Sequence, residues 1–273
     1  MLSLHTNNAA LSAQSSIGRT QGGLSTSMTR LSTGFRINSV MDDAAGLQIA
    51  TRLKSQTSGM AVAMRNTQNA TSMIQTAGGA LSEVKNMLIR MKDLATQGAD
   101  GSSSAADLTA LNAEFTDLKA EIANVVKNTT FGGTALLKTT GFAAAKVTFQ
   151  IGATTDETMD IEIGSEVGEI ESLSAALDMS TDANGAIDLV QAAIDKVSEV
   201  DSALGGAANR LQHVYNNLSN ISSNTKAAIG RIMDTDFATE SANMTKNQML
   251  TQAGTAMLKQ SNQMSQMVMS LLQ

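Results

Sequence analysis

The sequence contains no proline, no cysteine and no tryptophan, and only one tyrosine and six phenylalanines. At average usage about 14 prolines would be expected, so their absence argues against a turn-rich β-sandwich and favours long, uninterrupted helices. Without cysteine the chain has no disulfide framework, no thiolate zinc site and no cysteine nucleophile. Aromatic residues make up 3% of the chain. A core must therefore be built from small or flexible side chains over long interfaces, which fits an extended assembly better than a compact enzyme.

Acidic residues are missing from both ends of a chain whose net charge is −6. Residues 1–41 carry three arginines, and residues 241–273 carry two lysines. Without a cluster of cations or interleaved aromatic residues, these charges are too dilute for a nucleic-acid site. No run approaches the length of a membrane span. We therefore expect neither nucleic acid nor a membrane as a partner.

The residues that catalysis or metal binding would need are also missing. His5 and His213 have no partner at metal-ligand spacing, and the HExxH, GxSxG, P-loop and GxGxxG motifs are absent. The adjacent Asp42 and Asp43 are compatible with acid–base or metal chemistry. Acids directly before Ala44 are also typical of a helix start, where they accept hydrogen bonds from free N–H groups. We predict no catalytic residue, no metal site and no cofactor, and hence a protein that is not an enzyme.

Apolar residues in the last third recur at alternating spacings of three and four, which is a heptad pattern. The positions are Val190, Ala193, Val197, Val200, Leu204, Ala207, Leu211, Val214, Leu218, Ile221, Thr225, Ala228 and Ile232. Thr225 is the only polar residue among them. The pattern predicts a helix of about 43 residues, near 65 Å long at 1.5 Å per residue.

Two further segments are predicted to be helical, and a third is predicted to be a hairpin. Residues 44–97 repeat by sevens in two rows, and residues 108–125 carry a shorter apolar row. Residues 147–151 and 159–163 alternate apolar and polar side chains on either side of a polar link, as in a β-hairpin. The predicted fold is mainly α: a long-helix antiparallel coiled-coil bundle with one β-hairpin.

The C-terminal helix has two distinct rows. An apolar row, which we interpret as an assembly seam, consists of Leu250, Met257, Met264, Met267 and Leu271. On the opposite side is a hydrogen-bonding row with one cation, formed by Gln252, Thr255, Lys259, Asn262 and Gln266. The second row is equally compatible with an ordinary solvated helix face.

Several blocks closely resemble bacterial flagellin. They are RLSTGFRINSVMDDAAGLQIA at 30–50, QTAGGAL at 75–81, RMKDLA at 90–95, ANRL at 208–211, QAGTAMLKQ at 252–260 and SLL at 270–272. The blocks lie at both ends of the chain and in the family's order, so the resemblance is highly specific.

The resemblance implies a discontinuous subunit in which the N- and C-terminal helices are paired. Residues 1–42 and 234–273 would form an inner domain, and residues 43–233 a domain of long helices and the hairpin. Many flagellins insert outer domains after the hairpin. Here only residues 164–185 are available, too few for another domain, so no outer domain is expected.

The resemblance also implies function and partners. The chain would be a secreted, extracellular structural subunit that polymerises with itself into the bacterial flagellar filament for motility. Its other partners would be an export chaperone and the cap and hook-junction proteins. Export through a type III apparatus would match the first eight residues, which have neither a basic nor an apolar signal region. The hydrogen-bonding row of the C-terminal helix would face the filament's central channel.

A host Toll-like receptor is a further partner that the resemblance implies. The family's recognition surface carries over onto Ile89, Arg90, Leu94, Gln97 and Glu114. The same positions are compatible with ordinary contacts between subunits.

Two alternative functions share parts of this pattern. One is the flagellin-like protein at the junction of hook and filament, and the other is a type III secreted coiled-coil translocator or adhesin. The complete block from residue 252 to residue 272 favours the filament subunit over both. Electron microscopy separates them, because only the filament subunit gives long filaments.

Overall fold

The computed structural model describes residues 7–138, 141–142, 146–176 and 182–270. The helices are α1 (Asn8–Thr33), α2 (Ala44–Gly98), α3 (Ala105–Asn128), α4 (Gly164–Ala176), α5 (Ala183–Met233) and α6 (Phe237–Ser270). The strands are β1 (Thr130–Phe131), β2 (Thr134–Ala135), β3 (Val147–Gln150) and β4 (Thr158–Ile161). The mainly helical fold and the hairpin of β3 and β4 that we predicted are confirmed, and the structure adds a shorter antiparallel pair, β1 with β2, that we did not predict.

The chain divides into two compact units, which we call unit 1 and unit 2. Unit 1 comprises residues 1–55 and 224–273, and unit 2 comprises residues 56–223. The division lies inside α2 and α5, whereas the domain limits expected from the sequence lie at the ends of these helices.

Unit 1 is built on the antiparallel pair of α1 and α6. Their contacts run in opposite directions along the two helices: Asn7 with Ser261, Ile17 with Gly254, Gly23 with Asn247 and Arg30 with Glu240. The segments that follow α1 and α5 also pair, since the N–H of Arg36 donates to the carbonyl of Met233 at 2.6 Å. The two ends of the chain are therefore parts of one folding unit.

Residues at the limits of α1 explain its length. The side chain of Asn7 accepts a hydrogen bond from the N–H of Ala10 at 3.1 Å, as a helix N-cap does. At the other end Gly34 has a φ of 76°, in the left-handed region that glycine adopts without strain. Its N–H donates to the carbonyl of Arg30 and ends the helix.

In unit 2 the helices α2 and α5 run antiparallel. Lys92 donates to the side chain of Gln191 at 2.6 Å, and towards the other end Met60 packs in one cluster with Leu218. Both predicted rows of α2 are buried from Met60 onward: Met60, Ala63, Thr67, Ala70, Ile74, Ala77, Leu81, Val84, Leu88 and Met91. The row of α5 is buried at every predicted position from Val190 to Leu211, and again at Leu218. Burial of these matched rows forms the core.

The predicted row of α5 is wrong at one position beyond Leu218. Ile221 is 38% exposed, while the neighbouring Ser222 is buried. A straight α-helix drifts by about 20° per heptad relative to a strict seven-residue repeat. The buried position has therefore moved to Ser222 at this point, while Thr225, Ala228 and Ile232 of the predicted row are half-buried.

The hairpin and two short segments complete unit 2. Strands β3 and β4 pair antiparallel, with Val147 opposite Ile161 and Phe149 opposite Met159. Lys146 forms an ion pair of 2.7 Å with Asp160, and this hydrogen-bonded partner lowers the pKa of the Asp160 carboxyl below its usual value. The described residues between β4 and α5 form only the 13-residue helix α4.

Candidate assembly surface

The face of α6 that packs on α1 is mostly polar or small. Glu240 is buried there, and the half-buried positions that follow at spacings of three and four are Met244, Asn247, Thr251, Gly254, Leu258 and Ser261. At Gly254 a Cβ atom would lie 2.7 Å from Cγ1 of Ile17, so the absence of a side chain lets the two helices approach closely. Sequence periodicity did not reveal this face, because it contains few large apolar residues.

The predicted assembly seam lies on another face of α6 and is open to solvent. The exposed fractions are 48% for Leu250, 68% for Met257, 58% for Met264 and 59% for Met267. Leu271 lies outside the described residues. Leu250, Met257 and Met264 therefore keep about half or more of their surface outside the intramolecular helix pair.

The predicted channel-facing stripe is exposed as well. Gln252, Thr255, Lys259 and Asn262 are all exposed, and the hydroxyl of Thr255 donates to the carbonyl of Gln252 at 2.8 Å. Gln266 lies within α6, and its side chain is outside the described part of the structure. The described side chains of the stripe offer hydrogen-bonding groups and a single positive charge.

A partly buried ion pair joins the end of α1 to the start of α6. Nη1 of Arg30 lies 3.7 Å from Oε2 of Glu240, with side-chain exposures of 29% and 9%. Nε of Arg30 is buried without a hydrogen-bond partner among the described residues. Removing either partner would leave a charge poorly compensated inside unit 1.

The connection between α1 and α2 is held by the two adjacent aspartates. Oδ2 of Asp42 accepts hydrogen bonds from the N–H groups of Asn38 and Ser39, which lower the pKa of its carboxyl. Oδ1 of Asp43 accepts from the N–H of Gly46 at 2.8 Å, in the first turn of α2. The helix-start interpretation is therefore confirmed for Asp43, whereas Asp42 holds the loop that precedes α2. Within the described ranges, no three His, Asp or Glu side chains converge as metal ligands would.

The candidate receptor surface lies on α2 and α3 in unit 2. The guanidinium of Arg90 contacts Oε1 of Glu114 through Nη2 at 2.7 Å and Nε at 2.8 Å. Both side chains are about half exposed, Ile89 is 45% exposed, and Gln97 is also exposed.

Leu94 does not belong to that surface, which corrects the prediction for this residue. Its side chain is only 1% exposed, within the core of unit 2. The reason is helical spacing: Leu94 lies three residues after the buried Met91, so it falls on the stripe that packs into the core.

No helix among the described residues is both long enough and apolar enough to cross a membrane. The long helices pair antiparallel and leave an apolar row at the surface. This architecture is typical of an α-helical structural protein that self-assembles.

Comparison with known proteins identifies the family. The bacterial flagellin N-terminal helical region matches residues 4–141, and the bacterial flagellin C-terminal helical region matches residues 187–272. The flagellin of Halalkalibacterium halodurans is 38% identical over 269 residues, covering 97% of this chain and 98% of that protein. The flagellar filament 33 kDa core protein of Treponema phagedenis is 35% identical, covering 97% and 98%. The chain belongs to the flagellin family.

A solved structure agrees with this membership. The crystal structure of Bacillus cereus flagellin superposes with a TM-score of 0.50 at 33% identity, covering 60% of this chain and 94% of that one. The protein is a flagellin without outer domains, a structural subunit of the extracellular flagellar filament. The matched families are structural rather than catalytic.

Proposed function

We propose that polymerisation into the filament buries the apolar row of α6 against neighbouring copies of the chain. The observation that carries the proposal is the contrast between the two faces of one helix. The polar and small residues of α6 face α1, while Leu250, Met257 and Met264 are 48–68% exposed. A soluble helix normally turns its apolar face inward, so this arrangement requires a partner outside the monomer.

The energetics favour a repeated contact. Burial of one Met or Leu side chain is worth roughly 1.5–3 kcal/mol, and in a helical polymer every subunit gains the same contact. The segment 241–273 carries two lysines and no acid. Copies of α6 therefore meet with few charges to desolvate or repel.

We infer that the stripe formed by Gln252, Thr255, Lys259, Asn262 and Gln266 lines the central channel of the filament. Support comes from the exposure of its described side chains and from its nearly uncharged, hydrogen-bonding character. Such a surface remains hydrated and holds an unfolded chain in transit only weakly.

The test of the assembly proposal is Met264→Glu, with Gln252→Glu as the matched control. Each variant places one carboxylate on the same helix, the first in the apolar row and the second in the hydrogen-bonding stripe. Met264→Glu should abolish filament growth while the circular dichroism of the monomer is retained, and Gln252→Glu should still give long filaments by electron microscopy. Normal filaments from Met264→Glu would refute the proposal.

A second proposal is that Arg90 and Glu114 lie at the centre of a surface recognised by a host Toll-like receptor. The ion pair fixes an exposed guanidinium in one orientation, and arginine often anchors protein interfaces. Ile89 and Gln97 complete the exposed part of this surface.

The export chaperone and the cap and hook-junction proteins are the remaining partners that we propose. The exposed apolar row of α6 is the kind of surface that binds a protein partner before and after transit.

A further inference from the structure

Methionine exposure differs sharply between the two units. Among the methionines that the structure describes, six are more than half exposed, and all six belong to unit 1: Met28 at 56%, Met41 at 96%, Met249 at 59%, Met257 at 68%, Met264 at 58% and Met267 at 59%. In unit 2, Met60 is 4% exposed, Met91 0% and Met159 2%. The chain has 17 methionines and no cysteine. All sulfur atoms of the chain are therefore methionine thioethers. The exposed methionines are concentrated in unit 1, beside the assembly surface.

Three of the exposed methionines share the apolar row of α6. Met257 and Met264 are two helical turns apart, and Met267 follows one turn later. No acidic residue lies between residue 241 and residue 273, while Lys246 and Lys259 are on the same helix. The segment therefore carries no acidic side chain that would repel an anionic oxidant, and a neutral oxidant meets no electrostatic barrier.

We propose that Met257, Met264 and Met267 are modification sites for two-electron oxidants such as hydrogen peroxide, and that their oxidation stops polymerisation. The thioether sulfur attacks one peroxide oxygen, an S–O bond forms, and the O–O bond breaks. The sulfur loses two electrons and becomes a sulfoxide, and the peroxide is reduced to water. No other co-reactant is needed.

The consequence for assembly follows from the change in polarity. A sulfoxide replaces a flexible apolar side chain by a polar, chiral one, which disrupts methionine-rich interfaces. Burying that oxygen against a neighbouring copy costs free energy unless a donor is available. The same sulfur atoms become inaccessible once they are buried in a filament, so the susceptible species is the free subunit. This part of the inference rests on the proposed role of the α6 row.

The first experiment maps the reactive sites. The purified monomer is treated with hydrogen peroxide, quenched at intervals, digested and analysed by mass spectrometry. Sulfoxide should form at Met257 and Met264 about tenfold or more faster than at Met60 and Met91, because the buried residues react only after local opening. Equal rates at exposed and buried sites would overturn the inference.

The second experiment measures polymerisation of oxidised protein. Oxidation should raise the critical concentration of the wild type by about tenfold or more, whereas the variant M257L/M264L/M267L should keep, after the same treatment, the critical concentration that it has before treatment. The matched control M28L/M41L/M249L replaces three exposed methionines outside the row and should stay sensitive. Methionine sulfoxide reductases, one for each sulfoxide epimer, should restore growth of the oxidised wild type.

The outcomes separate the inference from the proposed function. If the row is oxidised and filaments still grow, while Met264→Glu fails to polymerise, the inference is wrong and the assembly surface stands. If oxidised wild type and Met264→Glu both polymerise, the assembly surface itself is wrong.

Discussion

Asn7 and Ser261 are 254 positions apart in the sequence and are joined by two hydrogen bonds. Nδ2 of Asn7 donates to the backbone carbonyl of Ser261, the hydroxyl of Ser261 donates to Oδ1 of Asn7, and both distances are 3.3 Å. Oδ1 of Asn7 also accepts from the N–H of Ala10. The residue that caps α1 therefore also holds it to α6, so formation of the first turn and pairing of the helices stabilise each other.

Replacement of Gly254 by alanine should weaken the pairing of α1 with α6. The new Cβ would lie 2.7 Å from Cγ1 of Ile17, a β-branched side chain with little freedom to move. At Gly18 a Cβ would meet nothing within 4 Å, so Gly18→Ala should stabilise the helix by about 0.5–1 kcal/mol. Thermal unfolding compares the two variants.

The clash itself is tested by the double variant I17A/G254A, which should recover the stability lost by Gly254→Ala relative to Ile17→Ala alone. If Gly254→Ala stabilises the protein as much as Gly18→Ala does, the close approach of the helices is not real.

Two substitutions in α5 test where its buried stripe runs. Leu211 is fully buried, whereas Ile221 is 38% exposed. Leu211→Ala should lower the free energy of unfolding by about 2–5 kcal/mol through lost burial and a cavity. Ile221→Ala should cost less than about 1 kcal/mol, as surface substitutions do. Denaturant unfolding measures both, and equal losses would place Ile221 in the core.

The sequence predicted the long helices well because their cores follow a strict spacing. The rows of α2 and α5 consist mostly of apolar residues at intervals of three and four. Helix α2 matches its predicted limits within one residue, and α5 begins at Ala183, seven residues before its predicted row. The hairpin was predictable for a similar reason, since Val147 and Phe149 alternate with polar residues before a polar turn.

The contact between α1 and α6 could not be predicted from such spacing. Its residues include Asn247, Gly254 and Ser261, which contact α1 through small size and through the hydrogen bonds of Ser261 with Asn7 rather than through apolar area. The ion pair of Arg30 with Glu240 joins residues from opposite ends of the chain, and only the fold brings them together. For Leu94 the helical spacing was informative and predicted a core position. We nevertheless assigned this residue to the receptor surface, because we followed the family resemblance instead.

The stability of the α1–α2 connection should depend on pH through Asp42. Backbone N–H donors lower the pKa of this carboxyl below its usual 3.8. A depressed pKa in the folded state means that the charged form stabilises the fold at neutral pH and that this stabilisation is lost as the pH falls through the folded value. Asp42→Asn should therefore be less stable than wild type at pH 7, and the difference should shrink below pH 3.8. Thermal unfolding across pH checks this. A constant difference at all pH values would assign the effect to shape rather than charge.

Arg90→Ala should weaken receptor signalling by the soluble monomer by about tenfold or more, if the guanidinium is an interface anchor. Arg65→Ala is the matched control, since Arg65 is another exposed arginine of α2. Reporter cells give the dose response, and circular dichroism confirms that both variants are folded. An unchanged response to Arg90→Ala would remove the surface from consideration.

The repeated spacing of α2 and α5 also makes the length of unit 2 adjustable. Sliding one helix along the other by seven residues, about 10 Å, would again place apolar residues beside apolar residues. The contacts that fix the alignment are local, such as the hydrogen bond of Lys92 with Gln191 and the packing of Met60 with Leu218. Removing one whole heptad from each helix between these points should leave both contacts and the core layers intact. The result would be a shorter subunit with the same cross-section, which makes this part of the molecule a spacer of selectable length.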